Sequence, residues 1–344
     1  MGPLASRGSV ASMIDTIIPD FRILSHRELG SLPEPEWTIE GILPAGSLAV
    51  LYGQPGDGKS FLALDMGLAV ASRPTWHGRT LKGGPILYVA AGEGASGLRS
   101  RVDAWSRVYN AEEMPGAYFM TSPILLQDQR HVDVFCQTLK HKIPEKLELV
   151  ILDTLARCMT GADENSTREM GQAIAGVDHI RNHTGATVLL SHHAQKSGDR
   201  ERGSSALFGA ADTVWQLKND DGLRVLEAKK QKDAELFEAI PFVLRPTLGS
   251  CVVEVTSSGA MVSGRLTPNQ RKCAEALRDI DTGGGVASGA WLEVSGVPKA
   301  SFHRAVKLLV DAGYVERGKR GRYYLLDSGT DLLSQVSSGL RKIS

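Results

Sequence analysis

The stretch Gly53-Gln54-Pro55-Gly56-Asp57-Gly58-Lys59-Ser60 reads G-x-x-x-x-G-K-S and stands between a strand pattern and a helix pattern. Before it, Ser47 to Tyr52 is short, apolar and rich in strand formers; after it, Phe61, Leu62, Leu64, Ala69 and Val70 recur at helical spacing. The glycines fall where a strand has to turn sharply into a helix. A phosphate-binding P-loop needs this context, because bulky side chains would hold a triphosphate away from the backbone N–H groups and from the positive end of the helix. ATP is therefore placed on Gly53, Gln54, Pro55, Gly56, Asp57, Gly58, Lys59, Ser60 and Phe61. Lys59 is expected on the β- and γ-phosphates and the Ser60 hydroxyl on Mg2+. A glycine-rich structural turn is the competing reading, and the agreement of motif with strand and helix context disfavours it.

Outward from the P-loop, Pro85 to Ala91 predicts a second buried strand that ends at Gly92-Glu93-Gly94. A helix over Ser96 to Tyr109, a short strand near Tyr118 to Met120 and a helix near Val132 to His141 follow. Leu147 to Leu152 is nearly all apolar and closes on Asp153-Thr154. A carboxylate at the C-terminal end of such a strand, downstream of a P-loop, is the Walker B arrangement that holds Mg2+. Many strands end in Asp as a simple cap, but the pairing with a P-loop favours the metal role. Thr187 to Ser191 predicts a further strand that runs into His192-His193. Strands alternating with helices imply an α/β fold with a mainly parallel sheet covered on both faces.

A chain of 344 residues with 42% hydrophobic residues can bury a full core, and its length suggests about two domains. Lys plus Arg and Asp plus Glu both number 39, so any basic surface for nucleic acid must be local. Cys136, Cys158, Cys251 and Cys273 are scattered, without zinc-ligand spacing, and read as small hydrophobes in a reducing compartment. No stretch approaches 18 apolar residues, so no membrane partner is expected and the location expected is cytoplasmic.

The segments G-I-L-P-A-G-S from Gly41, Y-V-A-A-G-E-G from Tyr88, G-L-R-S-R-V-D-A-W ending at Trp105, L-V-I-L-D-T-L-A-R and L-L-S-H-H-A-Q-K with R-G-S-S-A-L together resemble RecA-fold ATPases of the plasmid RepA helicase type, within the wider DnaB-like and RecA-like group. The resemblance covers about residues 37 to 245. It implies that Glu93 orients the attacking water, an acid beside the γ-phosphate being able to accept its proton; a solvated loop glutamate is the alternative. It implies that His192 or His193 is a polar sensor of the γ-phosphate. It puts a DNA-contacting loop at Lys196 to Ser205, with Lys196, Arg200 and Arg202, and a matching candidate at Arg157 to Arg168; an ordinary solvated loop, its charge offset by Asp199 and Glu201, is the alternative. In that family a K-x-K or K-x-R pair before the last strands reaches the neighbouring subunit's γ-phosphate. Lys230 and Lys232 match that spacing, with Arg202 as a competitor and a solvated basic turn as the plain alternative. Phe237 to Leu244 and Cys251 to Val255 read as the last strands.

Beyond a Ser/Gly-rich segment, Thr267-Pro268 starts a helix that carries Cys273, Ala274, Leu277 and Ile280 on one face. A short helix around Ala290 to Val294 and a longer one from Lys299 to Asp311 follow, then two short strands joined by a basic glycine hairpin through Arg322. This order resembles a winged helix-turn-helix. Lys299, His303, Arg304 and Lys307 on the third helix, and Arg317, Lys319, Arg320 and Arg322 on the wing, stand where a recognition helix and a phosphate-gripping wing need them. A small domain for protein contacts is the alternative.

The expected organisation is a flexible arm at 1–24, a RecA-like ATPase domain at 25–256, a linker at 257–265, a winged helix at 266–327 and a mobile tail at 328–344. The expected function is an ATP-hydrolysing DNA motor, a ring-forming, hexameric RepA-type helicase in plasmid or phage replication. A RecA-like recombination ATPase and a nucleotide-switched replication regulator are the alternatives, and a small-molecule kinase is the least favoured.

Overall fold

The computed structural model describes residues 23–32, 34–92, 94–194, 205–220, 222–256, 266–318 and 321–330. The expected arm up to residue 22, the linker and the tail from residue 331 lie outside them. Two compact units are present, Met1–Glu36 and Trp37–Ser344. In the first, helix α1 (His26–Leu29) is closed by a capping box between Ser25 and Glu28.

In the second unit, chain order gives β1 (Trp37–Ile39), β2 (Leu43–Pro44), β3 (Leu48–Gly53), α2 (Lys59–Ser72), β4 (Thr75–Trp76), β5 (Arg79–Thr80), β6 (Ile86–Ala90), α3 (Ala95–Tyr109), β7 (Ala117–Met120) and α4 (Gln129–Lys142). There follow β8 (Leu149–Asp153), α5 (Leu155–Cys158), α6 (Thr167–Thr184), β9 (Thr187–His193), α7 (Ala206–Ala210) and four strands, β10 (Thr213–Asp220), β11 (Leu223–Gln231), β12 (Ile240–Thr247) and β13 (Ser250–Val255). One nine-stranded sheet runs in the order β13-β12-β11-β10-β3-β9-β8-β6-β7. From β10 to β7 every neighbouring pair is parallel, and β11, β12 and β13 add an antiparallel extension.

The two faces of the parallel part carry separate cores. Ala49 and Leu51 of β3, Tyr88 of β6 and Leu149 and Ile151 of β8 pack with α2 and α3. Their alternate neighbours Leu48, Val50, Tyr52, Leu87, Val89, Val150 and Leu152 pack with α4 and α6. This period of two inside continuously apolar strands is what a sheet buried on both faces requires. It also carries all P-loop and Walker B residues to one edge, where parallel strands end and helices begin.

The antiparallel extension differs from the sequence reading in detail. Lys230, for which a solvated basic turn was the plain alternative, belongs to β11, and the strand expected from Phe237 starts at Ile240. Charged side chains on the open positions of β11 mask its alternation.

The C-terminal elements are α8 (Pro268–Ile280), β14 (Val286–Ala287), α9 (Ser288–Ser295), α10 (Lys299–Asp311), β15 (Val315–Arg317) and β16 (Arg322–Leu325), with a sheet in the order β14-β16-β15. A capping box from Thr267 to Gln270 starts α8. A separate core forms around Trp291 and Phe302, whose rings meet edge-on at 5.2 Å. The two-residue strand β14 was not foreseen; it carries too little pattern to read.

Candidate nucleotide site

Gly53 ends β3, and Gly58 is the N-cap of α2 at φ 98°. A Cβ on Gly53 would fall 2.5 Å from the Leu217 carbonyl oxygen, and one on Gly58 would fall 2.9 Å from Arg224 Nε. Both places therefore demand glycine, the second for its dihedral as well. Lys59 is 5% exposed, and its ammonium donates to the carbonyls of Gly53 at 3.0 Å and Gln54 at 2.9 Å. An ammonium has three donors, so the third can serve a phosphate oxygen while the loop contacts persist. Burial pulls its pKa down, and the carboxylates of Asp57 and then Asp153 oppose the shift.

Asp57 fastens the loop from inside: its carboxylate accepts the Gln54 N–H at 2.6 Å. Burial raises its pKa against that bond and against Lys59 and Arg224. Arg224, at the start of β11, was not foreseen. Its Nε donates to the Asp57 carbonyl at 2.8 Å and its Nη1 to Gly222 at 2.8 Å, so the β10–β11 hairpin grips the P-loop from outside. Phe61, the third residue of α2, lies under the Arg101 guanidinium at 4.4 Å.

Asp153 ends β8 and is 4% exposed. Its Oδ2 accepts the Tyr88 phenol at 2.7 Å, and that phenol lies 3.4 Å from the Ser60 carbonyl. Oδ1 is buried and has no hydrogen-bond partner among the described residues. A carboxylate oxygen left in this way beside a serine-bearing helix start fits a hard cation with oxygen ligands, so Ser60 and Asp153 would hold Mg2+. Bound there, the ion would supply positive charge to a bound triphosphate. Their cradle, by contrast, is this chain's own backbone.

Asp153 pairs with Ala90 on one side and Ser191 on the other. The Ala91 N–H donates to the Asp153 carbonyl at 2.8 Å, and Gly94 caps α3, so both flanks of position 93 sit at the same edge. Glu93 itself lies outside the described residues. So do Lys196, Arg200 and Arg202. His192 is fully buried opposite Tyr52, while the half-buried His193 pairs with Gly53, and the next residue, Ala194, donates its N–H to the Gly53 carbonyl at 2.9 Å. The strand end bearing both histidines is thus bonded directly to the P-loop. Arg157, from the other expected loop, is exposed and packs against Gly92, where a Cβ would stand 3.4 Å from its Cγ.

Below the P-loop, Asp65 of α2 is 2% exposed and binds two tryptophans and a histidine. Trp105 Nε1 donates to Oδ1 at 2.7 Å; Trp76 Nε1 donates to Oδ2 at 2.7 Å, with His77 Nε2 3.3 Å away. These bonds tie α2 to α3 and to the β4–β5 hairpin.

The lysine pair lies at the other end of the sheet. Leu217 of β10 pairs with Gly53, whereas Thr213 pairs with Ala49 and, on the other side, with Gln231. Lys230 and Lys232 therefore stand near the start of β3, a strand's length from their own P-loop. Lys230 is engaged within its chain, donating to the carbonyls of Phe208 at 2.9 Å and Gly209 at 3.0 Å. Lys232 has a side chain 62% exposed, with only a 3.7 Å approach to Asp212.

In the C-terminal elements Lys299, His303, Arg304 and Lys307 are all exposed on α10, opposite the buried Phe302, Val306 and Leu309. Arg317 is exposed, 6.0 Å from the Tyr323 ring centre. Arg322 donates to the carbonyls of Gly285 at 2.6 Å and Gly284 at 3.2 Å, so part of its donor set serves its own fold. Lys319 and Arg320 lie outside the described residues. No helix among the described residues is long and apolar enough to cross a membrane.

Comparison with solved structures finds similarity to a KaiC-like protein from the hyperthermophilic archaeon Pyrococcus horikoshii OT3, at 19% identity, covering 63% of this chain and 93% of that one with a TM-score of 0.46. Comparison with protein families matches residues 19–199 to the AAA domain family AAA_25. The match spans more than half of the chain and contains the glycine loop, the Asp153 strand end and both histidines, so the chain belongs to the AAA domain family.

Proposed function

We propose that the chain is an ATP-hydrolysing motor on DNA, a ring-forming helicase of the RepA type acting in plasmid or phage replication. The observation that carries this reading is the combination of a buried Lys59 and Asp153 site with four exposed basic or titratable residues on one face of α10. Phosphoryl transfer needs positioning and charge, which the P-loop edge supplies; a recognition surface needs accessible cations, which α10 supplies. Three helices packed with a small three-stranded sheet, two strands of which follow the third helix, support the reading of the C-terminal elements as a winged helix, with α10 in the major groove.

In this reading Glu93 orients the attacking water and His192 or His193 senses the γ-phosphate. Lys232 acts on a neighbouring subunit, a role that its distance from its own P-loop favours, while Lys230 holds α7. Arg202 competes for that role, and Lys196 and Arg200 contact single-stranded DNA. A cation given by one subunit to the next makes the contact heterologous, which generates a closed ring or an open filament.

The test is ATP hydrolysis with and without single-stranded DNA, joined to strand displacement and electron microscopy with a non-hydrolysable analogue. DNA-stimulated hydrolysis, unwinding and closed hexameric rings are expected. Long filaments would replace the helicase by a recombination ATPase, and dimers on duplex DNA without unwinding would replace it by a regulator. Glu93→Gln is expected to retain ATP while hydrolysis falls by about two orders of magnitude; an unchanged rate would remove Glu93 from the mechanism.

A further inference from the structure

We propose that Tyr88 is a positioning residue for the catalytic divalent cation, fixing the Asp153 carboxylate so that one oxygen is spent on the protein and the other is kept for the metal shell. The inference rests on the P-loop ATPase reading and deepens it. Tyr88 is fully buried on the β6 face that packs under α2, and β6 is the direct neighbour of β8. Its hydroxyl lies 2.7 Å from Asp153 Oδ2 and 3.4 Å from the Ser60 carbonyl oxygen. A phenol has one proton, and the carboxylate at the shorter distance is the stronger acceptor. Asp153 Oδ2 therefore takes it, while the Ser60 end of α2 is held in contact with the same hydroxyl.

The consequence falls on Oδ1. It is buried and has no hydrogen-bond partner among the described residues, a costly condition for a polar oxygen. Without the phenol, the carboxylate could rotate and share its two oxygens between orientations. With it, one orientation is selected before any cation arrives. Mg2+ demands near-octahedral geometry and binds through one or two carboxylates together with phosphates and water, so a fixed carboxylate edge matters more than for a tolerant cation. Residues that orient metal ligands in this way typically govern affinity by a factor of about 10 to 100.

Tyr88→Phe removes the hydroxyl and keeps the ring and its packing. Binding of Mn2+ to the complex with a non-hydrolysable ATP analogue is read by electron paramagnetic resonance, and binding of the analogue alone is read in EDTA. The expected result is a loss of Mn2+ affinity of about tenfold, with metal-free analogue binding within about twofold of wild type. ATP hydrolysis should recover toward the wild-type rate as Mg2+ is raised. A variant with lowered thermal stability but an unshifted Mn2+ midpoint would overturn the proposal and make the hydroxyl a core bond alone. Equal weakening with and without metal would also overturn it. Lys59→Ala separates the two levels: it should weaken analogue binding about a hundredfold with or without metal. Analogue affinity left unchanged by this substitution would sink the P-loop reading and the Tyr88 proposal together, whereas an unmoved midpoint in Tyr88→Phe sinks only the latter.

Discussion

The P-loop edge and the exposed face of α10 both carry positive charge, yet they hold it in opposite ways. Lys59 is buried, bonded to two loop carbonyls and influenced by two carboxylates. Lys299, Arg304 and Lys307 stand in solvent on a helix whose other side is core. A buried charge must be matched by fixed partners, so its ligand meets a prepared geometry. An exposed charge is screened and mobile, so it contributes through number and through counterion release. The first arrangement suits chemistry; the second suits grip.

The largest expected effect breaks the buried side of this contrast. Lys59→Ala should weaken ATP binding by about 3 kcal/mol, roughly a hundredfold, as for truncation of a buried, hydrogen-bonded charge partner. Titration with a fluorescent ATP analogue measures it, and DNA affinity without nucleotide should be untouched. Next, Asp65→Ala leaves two buried indole N–H groups without their acceptor and should cost about 2 kcal/mol of stability in denaturant unfolding. An unaltered midpoint would show that the hub is dispensable.

The exposed side should respond differently. Replacing Lys299, Arg304 and Lys307 together by Ala should lower DNA affinity by about tenfold or more at physiological salt and reduce the log–log salt slope by roughly 2.7. ATP turnover without DNA should not move, and an unchanged slope would assign α10 to protein contacts. Smaller still, Arg224→Ala should raise the ATP KM about fivefold, near 1 kcal/mol, through a looser P-loop. A change confined to kcat would contradict that account.

The cysteines give the smallest effect. Burial pushes the Cys136 and Cys158 thiols up to about 11, so at pH 8 only about one in a thousand is thiolate. Half-buried Cys251 should label first with a thiol reagent, which mass spectrometry resolves.

The P-loop, β6, β8, β9 and the three C-terminal helices were legible because each is a local pattern: a glycine run, an apolar strand, a helical stripe. Lys59, Ser60 and Asp153 were legible for the same reason, as residues at the ends of readable strands. Tyr88 lies 65 positions from Asp153, Arg224 lies 167 from Asp57, and Trp105 lies 40 from Asp65. Their partners are chosen by strand order and register, which no window of sequence contains. Lys230 and Lys232 look equivalent as letters, but two residues along a strand and its turn place one on helix carbonyls and the other in solvent.

The carboxylate of Asp65 gives the molecule an optical property. Two of its five tryptophans, Trp76 and Trp105, point their indole N–H groups at a single carboxyl group on the helix that begins with Lys59 and Ser60. Indole emission responds to a nearby charge, and both rings belong to elements other than that helix. Any rotation or slide of the helix when its first turn takes up phosphate changes both distances at once. The intrinsic fluorescence of the unlabelled protein should therefore report, in colour and intensity, on movement of the helix that carries the phosphate cradle.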